Sequence, residues 1–188
     1  MALTIDGGGN FIPTGTVVRT SGAFVMTTES GAIIPGDSLQ ITFAQAQSGA
    51  SHLSVAGSSE VTLALTCSIT PLSTTSVIQV TFYSMMAYGG TANSDGLRLS
   101  LYRSIGGGAY TNIVPVTGSY PPGPWYGWTY FTNTWSPLHC VYFDSPNTTS
   151  AVTYQLRYRN GASSTSYTNY LVHNNGHYYG WILEEIGN

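Results

Sequence analysis

Eight carboxylates, four histidines and two cysteines are the side chains through which this 188-residue sequence could do acid–base, metal or nucleophilic chemistry. Asp6, Glu29, Asp37, Glu60, Asp95 and Asp144 mostly sit beside turn-forming residues, and Glu184 and Glu185 are adjacent in "GWILEEI". Glycoside hydrolysis needs two carboxyl groups facing each other across a cleft, roughly 5 to 10 Å apart. Neighbours on a strand point to opposite faces, so Glu184 and Glu185 do not form such a pair. His173 and His177 in "HNNGH" have the i, i+4 spacing that converges on a metal only on a helix, and "NNG" is a turn. His139 and Cys140 are likewise adjacent, hence on opposite sides of a strand, which speaks against a thiol–imidazole pair; His52 stands alone. "GGG" occurs twice without the Lys-Ser/Thr or helix start of a phosphate loop, and there is no Gly-x-Ser-x-Gly elbow. The expectation is a non-enzyme with no catalytic residue, no metal and no cofactor.

Binding chemistry is better represented. Residues 120–135, "YPPGPWYGWTYFTNTW", hold three tryptophans, three tyrosines and three prolines in sixteen positions. The prolines and glycines predict a loop, and a loop cannot enclose that many rings by itself. Trp125, Tyr126, Trp128, Tyr130 and Trp135, flanked by Asn and Thr, are therefore candidate ligand-binding residues for a sugar face or a protein hot spot; packing over the end of the domain or into a subunit contact is the plainer alternative.

The positive charge is five arginines and no lysine, with a net charge of −3. That removes the usual footprint for nucleic acid or anionic lipid. No basic segment followed by an apolar one marks a signal peptide, and no apolar run approaches a membrane span, so neither secretion nor membrane insertion is expected. Cys67 and Cys140 fall in alternating apolar stretches and are expected as buried free thiols. Asn147-Thr148-Thr149 matches a glycosylation acceptor pattern, which has meaning only in a secreted protein.

The elements that must position these residues are strands. "VTLALTCSI" places Val61, Leu63, Leu65, Cys67 and Ile69 on one face, and "SVIQVTFYSMM", "GLRLSLYR", "DSLQITFAQ" and "PLHCVYF" alternate in the same way. Turn-rich spacers separate them, and no window has a helical period with start and stop signals. Eight or more short strands with such loops predict an all-β, antiparallel jelly-roll sandwich. In "AVTYQLRYRNG" Val152, Tyr154, Leu156 and Tyr158 share one face, with Thr153, Gln155, Arg157 and Arg159 on the other, predicting a strand that enters an Asn-Gly hairpin. Arginine and tyrosine are enriched where subunits meet. The arginine face is thus read either as a solvated surface or as part of a subunit contact. Fourteen Tyr, 4 Trp and 6 Phe exceed what one small core encloses, and only 7% of residues are charged, which favours a permanent oligomer. Residues 1–14, "MALTIDGGGNFIPT", with Leu3 and Ile5 ahead of a triple glycine and Phe11 and Ile12 after it, read as an attachment peptide followed by a hinge.

The carboxyl-terminal pattern resembles virion fibre-head and spike proteins of tailed phages and related viruses. The resemblance rests on Thr153, Tyr154, Leu156, Arg157 and Arg159 before a polar turn, then Ile182, Leu183, Glu185 and Ile186 in the last strand. It implies a jelly roll similar to tumour necrosis factor and C1q, assembled as a homotrimer, with residues 1–14 as the anchor to other virion proteins through Leu3, Ile5, Phe11 and Ile12 and residues 15–188 as the head. It also implies that Tyr154, Arg157, Tyr158 and Arg159 lie near the subunit interface, with Glu184 or Glu185 as the arginines' partner, and that exposed loops meet a host-surface glycan or protein. Shaft repeats, frequent in that family, are absent from this sequence, which favours a short spike or a capsid decoration protein. A free carbohydrate-binding module using residues 120–135 is the alternative reading.

Overall fold

The structure, a computed structural model, describes residues 2–5, 11–14, 24–25, 38–47, 53–56, 59–88, 97–114, 126–127, 135–160, 168–172 and 176–187. Side chains are described within 38–47, 59–86, 97–114, 135–159 and 176–187 and at 171. The strands are β1 (Ala2–Ile5), β2 (Phe11–Thr14), β3 (Phe24–Val25), β4 (Ser38–Gln47), β5 (Leu53–Ala56), β6 (Val61–Ile69) and β7 (Val77–Tyr88). They continue with β8 (Leu97–Ile105), β9 (Thr111–Val114), β10 (Tyr126–Gly127), β11 (Trp135–Asp144), β12 (Val152–Asn160), β13 (Thr168–Val172) and β14 (Tyr178–Ile186). Among the described residues there is no helix.

Alternating apolar and polar residues produce half-buried strands, and these stack as two antiparallel sheets. One sheet runs β6-β12-β8-β10, with β9 also on β8; the other runs β4-β14-β7, with β11 on the far edge of β7 and β3, β13 and β5 extending it. The strands divide between the sheets in the jelly-roll manner: β4, β7, β11 and β14 in one, and β6, β8, the two-residue β10 and β12 in the other. The all-β jelly-roll sandwich expected from period two is the observed fold.

The core lies between the sheets. Leu63, Leu99, Leu101 and Leu156 from one meet Ile78, Val80, Phe82, Trp181 and Leu183 from the other, all essentially inaccessible. Trp181 donates its indole N–H to the Leu65 carbonyl at 3.0 Å, which joins β14 to β6 across the sandwich, and its ring lies 4.9 Å from that of Phe82. Cys67 and Cys140 are buried free thiols.

Two local expectations change. Both edges of β12 are occupied, by β8 and by β6, so it has no room for a hairpin partner; after Asn160 the next strand, β13, pairs in the other sheet. Residues 2–5 and 11–14, read as a peptide and hinge, pair as a two-stranded antiparallel sheet with Leu3 opposite Pro13 and Ile5 opposite Phe11. The three glycines between them allow the chain to reverse.

Candidate functional site

β12 carries the candidate interface residues on its two faces, and the faces differ in chemistry. Tyr154 and Tyr158 point into the sandwich and are buried. The Tyr154 hydroxyl donates to Asp144 Oδ2 at 2.7 Å, while Arg103 Nη1 donates to Asp144 Oδ1 at 2.7 Å. Burial, and then the adjacent carboxylate, push the Tyr154 hydroxyl far above its ordinary pKa, so it serves as a neutral donor. Asp144 ends β11 in one sheet, and Arg103 and Tyr154 stand on β8 and β12 in the other. The trio is an inter-sheet polar clasp. Arg103 had no assigned role in the sequence, yet a signal was there: Asp144 continues the inward parity of Leu138, Cys140 and Tyr142, and an acid at an inward position needs a partner.

The outward face of β12 is the arginine face. The Arg157 guanidinium carbon lies over the Tyr102 ring, 3.8 Å from its centroid, and the Arg157 Nε donates to Gln155 Oε1 at 3.4 Å. Glu60, just before β6, accepts from Ser100 Oγ and from the Tyr102 hydroxyl, each at 2.8 Å. Partial burial, with the Glu60 bond and charge adding to it, raises the Tyr102 pKa. Ser100 is left buried beneath these side chains. Arg159 faces Arg98 directly across the β12–β8 ladder, and its buried Nε has no hydrogen-bond partner among the described residues. On the far side of Arg98 the backbone of Tyr126 pairs in turn, so the aromatic segment and the arginine strand meet at one end of one sheet.

Within one chain β14 lies in the sheet opposite β12, so Glu184 and Glu185 stand on a different sheet from Arg157 and Arg159. Glu185 shares the inward parity of Trp181 and Leu183 and is fully buried. Its Oε1 accepts from the backbone N–H groups of Leu72 and Ser73 at 2.7 and 3.3 Å, and its Oε2 from the Gln40 amide, which also donates to the Thr70 carbonyl at 2.6 Å. It is an internal anchor for the β6–β7 connection and has no surface to offer a neighbouring subunit. Tyr154 and Tyr158 are withdrawn from the surface for the same reason of parity, whereas Glu184, Arg157 and Arg159 remain on outer faces.

Trp125, Trp128 and Tyr130 lie outside the described residues, and Tyr126 is described by its backbone alone. Trp135 opens β11 opposite Ala87, in the sheet that does not contain Tyr126, so these two residues of the aromatic segment belong to different sheets. Leu3, Ile5, Phe11 and Ile12 fall in β1 and β2 with their side chains outside the description. His52 and His173 also lie outside it, and His139 and His177 are exposed.

No protein-family model matches the chain, and no curated protein matches it at a significant level. Solved structures similar to it include the infectious bursal disease virus VP2 subviral particle, at 10% identity and a TM-score of 0.41, covering 78% of this chain and 33% of that one. They also include the Gx strain of the same virus, at 12% identity and a TM-score of 0.42, covering 79% and 32%. The T13 particle of that virus matches at 11% identity and a TM-score of 0.39, covering 94% and 36%. The chain thus spans about a third of the length of these proteins.

Proposed function

We propose that this chain is a non-enzymatic structural component of a virion: a trimeric short fibre, spike or decoration protein, held to the particle through residues 1–14 and presenting its loops to a host surface. The observation that carries the reading is the jelly-roll strand order, in which the two segments resembling fibre heads, 153–159 and 182–186, fall in β12 and β14, each flanked on both edges by other strands. A small number of charges and a stacked arginine face suit a protein that works as an assembly. Trimerisation would multiply weak host contacts by avidity.

Solution mass by light scattering, with and without residues 1–14, tests this. A trimer that survives the truncation supports a self-contained head with a separable anchor; a monomer in both forms sinks the spike reading. The pairing of Tyr126 with Arg98 favours one second reading, a carbohydrate-binding module using residues 120–135. In that case Trp128→Ala abolishes glycan binding by the soluble chain and leaves its mass unchanged.

A further inference from the structure

The outer faces of the two sheets are unlike. On the β6-β12-β8 sheet, Arg157 and Glu60 lie across Tyr102 and Ser100, so that face is covered by its own polar side chains. On the β4-β14-β7-β11 sheet the registers set exposed side chains in rows. Phe43, Ile182, Thr81 and Val141 are successive cross-strand neighbours, and Ile41, Glu184, Gln79 and Phe143 form the next row. Phe43 is 48% and Phe143 58% exposed; Ile41, Val141 and Ile182 are each more than a third exposed, and Tyr178 stands further along β14 on the same face. Thr81, at the centre, is already closed over by its neighbours.

Taking about 200 Å² for a fully exposed aromatic side chain, the five residues of the two rows leave on the order of 400 Å² of apolar surface and Tyr178, two registers away on β14, about 100 Å² more, near the largest patch a typical monomer shows. Two such faces pressed together would bury about 1,000 Å² before any polar neighbour is counted, which is where specific interfaces begin. Glu184 is the one formally charged side chain in the two rows, and neither row contains an arginine. A nucleic acid or an anionic membrane would need cations there. An identical face brings none and needs none, and depletion of charge at the centre of a patch is the compositional mark of a protein interface. Sheets also pack readily face to face at about 10 Å.

We propose that a second copy of this chain packs on the outer face of the β4-β14-β7-β11 sheet, through Phe43, Phe143, Ile182 and Val141. The inference rests on the self-association proposed above and specifies a surface for it in place of the arginine strand; a face packed on its identical copy is a twofold contact, so it joins chains in pairs and is not itself the threefold contact of a trimer. The test compares the solution mass of the full chain across a concentration series with that of Phe143→Arg and Ile182→Arg. Leu72→Arg serves as control, being equally exposed but outside the face. All three side chains face solvent, and circular dichroism checks that each variant folds; the corresponding serine variant replaces any arginine variant that does not.

An oligomer whose dissociation constant rises at least tenfold in both face variants and is unchanged in the control is the expected result. An oligomer indifferent to the face variants but lost in Arg157→Ala overturns this inference and leaves the oligomer standing. A wild-type chain that stays monomeric overturns both; if it also binds an apolar dye that Phe143→Arg does not, the face belongs to a foreign partner.

Discussion

Glu185 and Glu184 are neighbours in sequence with opposite roles, and the difference lies wholly in strand parity. Glu185 faces inward and collects the Gln40 amide and two backbone N–H donors, so its removal takes an acceptor from all three, although the Gln40 amide keeps the Thr70 carbonyl and the Leu72 and Ser73 amides are only partly buried. Leaving a buried donor unpaired costs about 1–3 kcal/mol. Glu185→Ala is accordingly expected to lower unfolding stability by about 3 kcal/mol in urea denaturation. Glu184→Ala, on the outer face, should change it by less than about 0.5 kcal/mol, the usual scale of surface substitutions. Equal midpoints for the two variants would show that Glu185 does not anchor the β6–β7 connection. The Asp144 clasp follows the same logic on the other side of the core, where one carboxylate holds Arg103 and Tyr154 together.

At the scale of elements, β14 depends on a close approach that only glycine permits. A Cβ at Gly180 would run into the Ala44 carbonyl oxygen of β4 and come within 2.8 Å of the Tyr83 hydroxyl. The hydroxyl can swing away, but the carbonyl belongs to the paired strand, so Gly180→Ala must push β4 and β14 apart. Overpacking of this kind costs about 1–3 kcal/mol. The expected outcome is a lower melting temperature, with amide exchange accelerated along β4 more than along β6; uniform acceleration would show that the contact is not local. Nothing in "HYYGWILEEI" announces this constraint, because it arises from a strand more than a hundred residues earlier. What the sequence does disclose is parity: the inward and outward sets of β6, β7, β8, β11 and β12 follow from period two alone. Partnership is not disclosed by parity. The Asn160-Gly161 turn reads as a hairpin until both edges of β12 are seen to be taken, and parity does not disclose that β12 and β14 stand in opposite sheets. Half of the candidate interface was legible as chemistry, and its geometry depended on long-range pairing.

For the whole molecule, the two thiols report whether the sheets hold together as one cooperative body. Cys67 faces the core from β6 and Cys140 from β11, one in each sheet. Burial raises their pKa values from 9.0 to about 11 and about 12. A thiol with a raised folded-state pKa stays neutral in the fold while the unfolded chain has already ionised, so the unfolded state binds fewer protons and stability falls with rising pH. The stabilisation is complete below pH 9 and is withdrawn between 9 and about 12, on the order of 3 kcal/mol for Cys67 and 4 kcal/mol for Cys140 by the upper end. Tyr154, raised by burial and by Asp144, adds loss of the same sign above its unfolded value of 10.0. The melting temperature should therefore be flat on this account from pH 7 to 9 and fall steeply beyond. Thiol labelling at pH 8 should be slow for both cysteines and become fast for both at a single denaturant concentration, because Trp181 and the Asp144 clasp tie the sheets across one core. Labelling of Cys140 well before Cys67 would mean that the β11 side opens by itself, and the sandwich would then be two units of unequal stability and not one.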